Sequence, residues 1–561
     1  MEPIQNKVLT GDATISKNFF ESDVILKHYL QNHVPEEGRS YMENKWNRMG
    51  RDAALFMDEL SMKADQHPPE LKERTPLGND KNEIEFHPAY WELMEIAARS
   101  EMFFVKYDDA LKERFKGMRH LLGFTSGLIY AMSELGQYCP LCMTDGAALL
   151  LERHGDQEDI DRLLPRLGCK TGSDLYTGAM FLTEKSGGSD VGRNIARAEQ
   201  IENKYYRLQG EKWFCSNANA DVILALARTG DGSSGTRGLS LFLIEKNLPE
   251  GESNPIKFIR LKDKLGVRSM ATAEVIFENT VGKRVGAEGE GFKIMTDMIN
   301  MSRLYNSVGA LAAARRAMIE SWQYLNHRVI FGKRAVEHAL IRQKFHELGS
   351  LHLANFLLVM RTIRAMDAAE TGDKREQQLL RILIPMAKWW SAETAIYMVR
   401  ESMELMGGNG YIEDFVLPKI FRDVNVLPIW EGSGNIIVLD ILRAMRKSEG
   451  MNFLLEDIKK GIDNNTTLGS LIKTKLSDSE KLLNELSGID RDTVEATAKP
   501  LFRRIIHLYQ MYLMIHETDE KSKEWTNYAL QYMSSTLNND LEVRSPLSVG
   551  QITKLVGWNY K

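Results

Sequence analysis

The sequence predicts a mixed α and β fold in four parts. An N-terminal helical domain is expected over residues 1–176 and a central all-β domain over 177–286, followed by a C-terminal four-helix bundle over 287–447 and an extra helical domain over 448–561. Three observations predict it. Apolar residues recur at three-to-four spacing through the first part, the period drops to two between Thr177 and Gly286, and the helical period returns near Phe292 and holds to Lys447. At 561 residues the chain can bury more than one core.

In the first part Phe19 to Leu30, Glu43 to Lys63 and Ala89 to Val105 carry helical periodicity. The breakers Asp65-Gln66-His67-Pro68-Pro69 and Thr75-Pro76-Leu77-Gly78-Asn79 lie between them. Gln137 to Leu151, small and apolar, reads as a buried helix beginning near Pro140. In the second part Lys204 to Leu208, Val222 to Ala227, Leu239 to Ile244 and Ala273 to Phe277 read as strands, separated by turn clusters such as Gly230 to Gly235. In the third, Leu304 to Phe331, Ile341 to Glu370 and Glu376 to Met406 are long enough to pack as a bundle. The polar tail is mostly helical, with an interruption at Gly461 to Asn465.

Composition narrows the function classes. Hydrophobic residues make up 43% and charged residues 27%, an ordinary globular balance, and a net charge of -5 gives no overall signal for nucleic acid or an anionic membrane. No uncharged apolar run approaches the roughly 18 residues of a membrane helix, and Met1 to Gln5 lacks a basic segment followed by an apolar one. Four cysteines argue against a disulfide framework. A cytoplasmic protein is expected.

The stretch around which chemistry gathers is Pro428-Ile429-Trp430-Glu431-Gly432-Ser433-Gly434-Asn435. A carboxylate beside Trp on a glycine-rich turn, between helical segments rich in Ile, Leu and Met, is costly unless paired or useful, and Glu431 is a candidate general base. Leu182-Thr183-Glu184-Lys185-Ser186-Gly187-Gly188-Ser189 is either a strand connection or a loop whose N–H groups and hydroxyls face a phosphate or a polar ring edge. Glu404 to Tyr411, with glycines at 407, 408 and 410, is either a helix C-cap or a place where a cofactor approaches the backbone. Arg328, before Phe331-Gly332, either caps a helix or clamps a pyrophosphate.

Taken together these motifs resemble the acyl-CoA dehydrogenase family over about residues 90 to 447. Glu404 to Asp423 is similar to the family's C-terminal signature, and Thr183-Glu184 with Gly188-Ser189-Asp190 to its N-terminal signature, Phe181 and Arg193 being departures. Tyr324, Arg328, Phe331 and Gly332 look like its Arg-x-x-Phe-Gly element. The long tail and Ile429 to Ile436 resemble the AidB-type branch, tied to the bacterial alkylation response, whose bacterial member also binds DNA.

The resemblance implies FAD as cofactor and an acyl-CoA thioester as substrate. Leu182 and Thr183 would meet the flavin edge, Gly188 and Ser189 a cofactor phosphate, and Phe214 and Ser216 would flank the ring system, with Phe214 standing where many members have Trp. Arg328 and Phe331 would reach the FAD of a neighbouring subunit, and Glu404, Gly407 and Gly408 its adenosine half. Trp430, Ser433 and Asn435 would hold the cofactor beside the base. Ser189 and Arg303 would face the substrate. The family keeps its base in one of two places; Ser302 stands at one and Glu431 at the other, so the resemblance implies α-proton removal by Glu431 and hydride transfer to flavin N5. Burial would raise the Glu431 pKa toward working pH. An electron-transfer flavoprotein as acceptor and a homodimer or homotetramer are implied as well.

Other signals fail. Cys139-Pro140-Leu141-Cys142 lacks a second pair at zinc spacing, and Ser350 stands where a zinc-protease motif starting at His346-Glu347 needs histidine, so no metal is expected. The alternative function, an AidB-like flavoprotein that binds or protects DNA with residual dehydrogenase activity, calls for a basic tail. Residues 436–561 hold 17 basic and 17 acidic residues, which does not support it.

Overall fold

The computed structural model describes residues 16–230, 235–463, 466–538 and 545–559; Met1 to Gln5 and parts of the two expected interruptions, 231–234 and 464–465, lie outside them. The chain forms two compact units. One comprises residues up to Leu55, Lys116–Phe124 and Asn306 onward, the other Phe56–Phe115 and Thr125–Tyr305.

Among the described residues the second unit carries all but two short strands. A charged ribbon, β1 (Glu70–Arg74) with β2 (Asp80–Glu85), precedes the main sheet of β3 (Gly178–Phe181), β4 (Arg197–Glu202), β5 (Tyr205–Ser216), β6 (Val222–Arg228), β7 (Leu239–Glu245), β8 (Ile256–Leu261) and β9 (Thr272–Val285). β6 pairs β7 antiparallel along its length, β7 pairs β9, β9 pairs β5, β5 pairs β4, and one bridge from β4 to β6 closes the ring. β3 joins β6 in parallel and β8 joins β9. The interior holds Phe181, Leu208, Ile223, Ala225, Phe242, Ile244, Val275 and Phe277. β6 and β7 are apolar on both faces because neither faces water.

The helix Tyr138–His154 packs against β3 at contact distance. A Cβ on Gly178 would lie 2.7 Å from the Ala147 Cβ and 2.8 Å from the Met143 carbonyl, so only glycine lets the strand approach. The Gly178 N–H donates to Thr144 Oγ1 at 3.0 Å, which fixes the register of strand on helix. Cys139 and Cys142 lie in the first turns of that helix and form no disulfide.

In the first unit two antiparallel helices, Ala339–Glu370 and Lys374–Leu405, form the spine. At 32 residues each they are rods of about 48 Å. Asp373 caps the second by accepting from the N–H groups of Arg375 and Glu376. The tail helices Arg491–His516, Lys523–Asn538 and Val549–Val556 lie along Ala339–Glu370. A polar chain pins three helices in register: Gln510 Nε2 donates to Asn355 Oδ1 at 2.9 Å, and Asn355 Nδ2 to Thr394 Oγ1 at 2.7 Å. Among the described residues no helix is long and apolar enough to cross a membrane.

Helix–β–helix order and the extra helical tail are as the periodicity predicts, while several boundaries differ. The helix expected to run from Leu304 through Phe331 is Gly291–His327, because Arg328–Arg334 turn back as the hairpin β10 (Val329–Ile330) and β11 (Lys333–Arg334). Phe19 to Leu30 breaks at Asp23, whose extended backbone ends one helix and whose carboxylate caps the next. Glu43 to Lys63 contains a π-turn at Ala53–Met57, and Ala89 to Val105 ends at Arg99.

Candidate active site

In the β-rich unit the loop after β3 is held from below by a buried ion pair. Glu184 accepts from Lys212 Nζ at 2.8 Å and from the N–H groups of Ile195 at 2.6 Å and Ala196 at 3.2 Å. Both charges are withdrawn from water; burial pulls the Lys212 ammonium below its usual range while Glu184 opposes that. The Leu182 carbonyl accepts from Asn194 Nδ2 at 2.6 Å, and the Thr183 carbonyl from the Trp213 N–H at 2.8 Å. Thr183 is half-buried and Ser189 exposed. A Cβ on Gly188 would lie 2.7 Å from Thr183 Oγ1, so glycine there leaves room for the Thr183 hydroxyl.

The Trp213 N–H ties this loop to the end of β5, where the register against β9 slips between Lys212 and Cys215. The bulge puts Phe214 at φ 57°, a conformation a bulky residue adopts only under constraint. It turns the Phe214 ring outward, 60% exposed, beside the half-buried Ser216. Lys262 Nζ sits 3.3 Å from the Trp213 ring centroid and 5.0 Å from that of Phe214, anchored on Glu274 at 2.5 Å. Leu182, Thr183, Gly188, Ser189, Phe214 and Ser216 thus share one linked loop-and-strand surface. Ser302 is buried and donates to the Ile299 carbonyl of its own helix at 3.2 Å; Arg303, next to it, is 9% exposed.

In the helical unit the predicted residues fall into two groups. Arg328 donates to the Tyr324 hydroxyl at 2.7 Å, and Asn409 Nδ2 donates to the same oxygen at 3.1 Å, which joins the hairpin to the Gly407–Tyr411 turn. Phe331 and Gly332 form the two-residue hairpin turn with φ 48° and 79°, and the Phe331 ring is 95% exposed. Gly407 has φ 63°, and neither it nor Gly408 has a heavy atom within 4 Å of an added Cβ, so the backbone is open to close approach. Glu404 lies on the last turn of its helix, paired with Arg400 at 2.5 Å.

The other group surrounds Glu431. Trp430 closes a turn through its N–H to the Val426 carbonyl at 3.0 Å; Glu431 follows at φ 57° and Gly432 at φ 102°, before Ser433 at the N-cap position of the helix Gly434–Lys447, where its hydroxyl makes no capping hydrogen bond. Two positive-φ residues in succession thus precede the helix, and Glu431 is half-buried. The buried Lys388 donates to the Gly432 carbonyl at 2.7 Å. Lys499 of the tail reaches Asn435 Oδ1 at 3.5 Å. Trp389 Nε1, near Gly434, is buried without a hydrogen-bond partner among the described residues.

Lys388 and Glu404 are separated by about 24 Å along their common helix, so this unit does not bring Glu404, Gly407 and Gly408 to the Glu431 turn. Sequence reasoning missed Lys388 and Lys499. A lysine inside Leu383-Ile384-Pro385-Met386-Ala387-Lys388-Trp389-Trp390 was the available signal for the first; nothing in the local pattern marks the second. Among the described residues no cluster of three or more His, Cys, Asp and Glu could hold a metal ion.

Residues 11–171 match the family model of the adaptive response protein AidB N-terminal domain, 179–280 the acyl-CoA dehydrogenase middle domain and 289–446 its C-terminal domain. The putative acyl-CoA dehydrogenase AidB of Escherichia coli is 34% identical over 407 residues, 71% of this chain and 73% of that protein. Acyl-CoA dehydrogenase family member 11 of Caenorhabditis elegans is 29% identical over 528 residues, 90% of this chain and 85% of that protein. The structure of Caenorhabditis elegans ACDH-11 in complex with C11-CoA superposes with a TM-score of 0.85 at 27% identity, covering 95% of this chain and 94% of that one.

Proposed function

The chain belongs to the acyl-CoA dehydrogenase family, in its AidB-type branch, and from that we propose that it is an FAD-dependent acyl-CoA dehydrogenase with Glu431 as the α-proton base. The observation that carries the reading is that Glu431, a half-buried carboxylate held at φ 57°, follows Trp430 on a turn whose next carbonyl is bound by the buried Lys388. The residues fit FAD. In the β-rich unit Thr183, Ser189 and Ser216 offer hydroxyls to its polar edges; in the helical unit Arg328 offers a fork for pyrophosphate, Gly407 and Gly408 an open backbone, and Trp389 Nε1 a buried donor without a partner among the described residues.

FAD, when bound, supplies the hydride acceptor. The chain's own work is to hold the thioester, to exclude water from it and to take the α-proton onto the Glu431 carboxylate. The Glu431 N–H would stabilise the negative charge that develops on the thioester oxygen. Ser302, which donates within its own helix, supports the reading that Glu431 is the residue for that transfer. The distance of Glu404, Gly407 and Gly408 from the Glu431 turn supports the reading that they, with Arg328 and Phe331, serve the FAD of a second copy in a homodimer or homotetramer. Electrons would leave to an electron-transfer flavoprotein.

The test is to purify the protein, confirm the yellow of bound flavin and follow anaerobic bleaching with short, medium and long straight-chain acyl-CoAs. Glu431→Gln should keep FAD and bleach roughly two to four orders of magnitude more slowly. A colourless protein that takes up no FAD would sink the reading, and near wild-type bleaching of the variant would remove Glu431 from its role.

One observation favours the DNA-binding alternative. An open groove of about 660 Å³ in the helical unit is lined by Lys374, Arg375, Arg446 and Lys447, against Glu449 alone among acids. Local convergence of cations can bind a polyanion even where the tail as a whole is neutral. Affinity for duplex DNA that falls steeply with salt, and falls further in Arg446→Ala with Lys447→Ala, would support it. No binding at low salt would end it.

A further inference from the structure

We infer that Lys388 is a positioning residue for Glu431, fastening from inside the core the turn that presents the carboxylate. The inference rests on the reading of Glu431 as base. Lys388 lies in the middle of the helix Lys374–Leu405 and has no exposed surface. Its Nζ donates to the Gly432 carbonyl at 2.7 Å and points to the Pro428 carbonyl at 3.4 Å, so one ammonium spans the turn from its first residue to the one after the base. Asn306 Nδ2 adds a third fastening, to the Leu427 carbonyl at 3.0 Å.

A clamp is useful because the turn holds one residue at a disfavoured backbone angle. Glu431 has a Cβ and sits at φ 57°, where an L-residue other than glycine is disfavoured. A helix begins at Gly434, and extending it back through Ser433 and Gly432 to Glu431 would relieve the Glu431 backbone and move its carboxylate. The Gly432 carbonyl is the group that such a change would reorient, and it is the one Lys388 holds. A buried ammonium is costly, and it is tolerated where its donors meet carbonyls. Methionine would fill the same space without that restraint.

The test compares Lys388→Met, Lys388→Arg, Glu431→Gln and the Lys388→Met/Glu431→Gln double variant with the wild type. Readouts are bound flavin, hydrogen exchange of the amides in residues 429–435 of the FAD-free protein, and anaerobic bleaching by straight-chain acyl-CoAs. Lys388→Met is expected to keep FAD, to exchange those amides about 10-fold faster and to bleach roughly 10- to 100-fold more slowly at unchanged KM. In the Glu431→Gln background the same substitution should cost nothing further, because a mispositioned glutamine has no proton transfer to lose. Wild-type bleaching by Lys388→Met, or a loss as large without Glu431 as with it, overturns the role.

If Glu431→Gln itself bleaches normally, the base assignment falls and the role of Lys388 falls with it. An inactive Glu431→Gln beside a fully active Lys388→Met overturns Lys388 alone. Should the Met variant not fold, Lys388→Arg keeps a cation but displaces its donors. Slower bleaching with faster exchange at 429–435 then supports the role, and wild-type values for both overturn it.

Discussion

Arg315 and Asp23 form a two-pronged ion pair in the core of the helical unit, with Nη2 2.9 Å from Oδ1 and Nε 3.0 Å from Oδ2. The same guanidinium donates to the Val556 carbonyl at 2.5 Å and the Gly557 carbonyl at 2.9 Å. Asp23 in turn interrupts the first helices, where its backbone bridges to Trp558. One arginine therefore joins the N-terminal helices, the helix Gly291–His327 and the C-terminal segment. Removing one partner leaves the other buried and unpaired, so Arg315→Ala should cost about 3–5 kcal/mol. Thermal melting of the FAD-free protein reads this, and deletion of residues 545–561 should lower the midpoint as well; an unchanged midpoint in both would show that the junction is dispensable.

Phe331 tests the assembly. An aromatic ring 95% exposed at a left-handed position is a poor choice for an isolated surface. Phe331→Gly should relieve the backbone and leave the FAD-free fold at least as stable, by up to about 1 kcal/mol. Sedimentation should nevertheless shift from oligomer toward monomer, and bound flavin should fall with it. Full oligomer with full flavin would mean that the ring faces nothing.

Phe214 tests the barrel side. Its ring projects from the bulge, so Phe214→Ala should change the stability of the FAD-free protein by no more than about 0.5 kcal/mol. Loss of an aromatic contact with the flavin should raise the FAD dissociation constant about 5-fold, from the ~1 kcal/mol of such pairs. Flavin fluorescence on dilution measures it, and unchanged release would place the ring away from the cofactor.

Stability should depend on pH through His352. Burial holds its imidazole well below the usual histidine range, helped by the Arg315 charge. In the unfolded chain the ring protonates near pH ~6.5, so below that the unfolded state binds the extra proton and folding loses stability as pH falls. The loss approaches about 1.4 kcal/mol per pH unit until the folded-state value is reached. His352→Leu should flatten the slope of the melting midpoint below pH ~6.5; an unchanged slope would assign the dependence elsewhere.

The β domain was legible where its strands are apolar. Val222 to Ala227 and Leu239 to Ile244 came within a residue of β6 and β7 because strands buried on both faces carry an unbroken hydrophobic run. The ribbon Glu70–Arg74 and Asp80–Glu85 was not, since Glu70-Leu71-Lys72-Glu73-Arg74 has no alternation to read. The missing constraint there is tertiary: Asn82 donates to the Ile256 carbonyl at 2.7 Å and accepts from the Phe258 N–H at 2.9 Å, which seats the ribbon on β8.

The sequence by itself determined the order of helical and β parts, the family and the residue types of the candidate site, because periodicity and motif spacing are local. It could not tell that Glu431 needs a left-handed turn, that Lys388 holds that turn from another helix, or that the tail is knitted to the N-terminus through Arg315. Those depend on which distant groups meet in the core. There, an unpaired charge or carbonyl is costly enough that the partner across the fold decides the conformation.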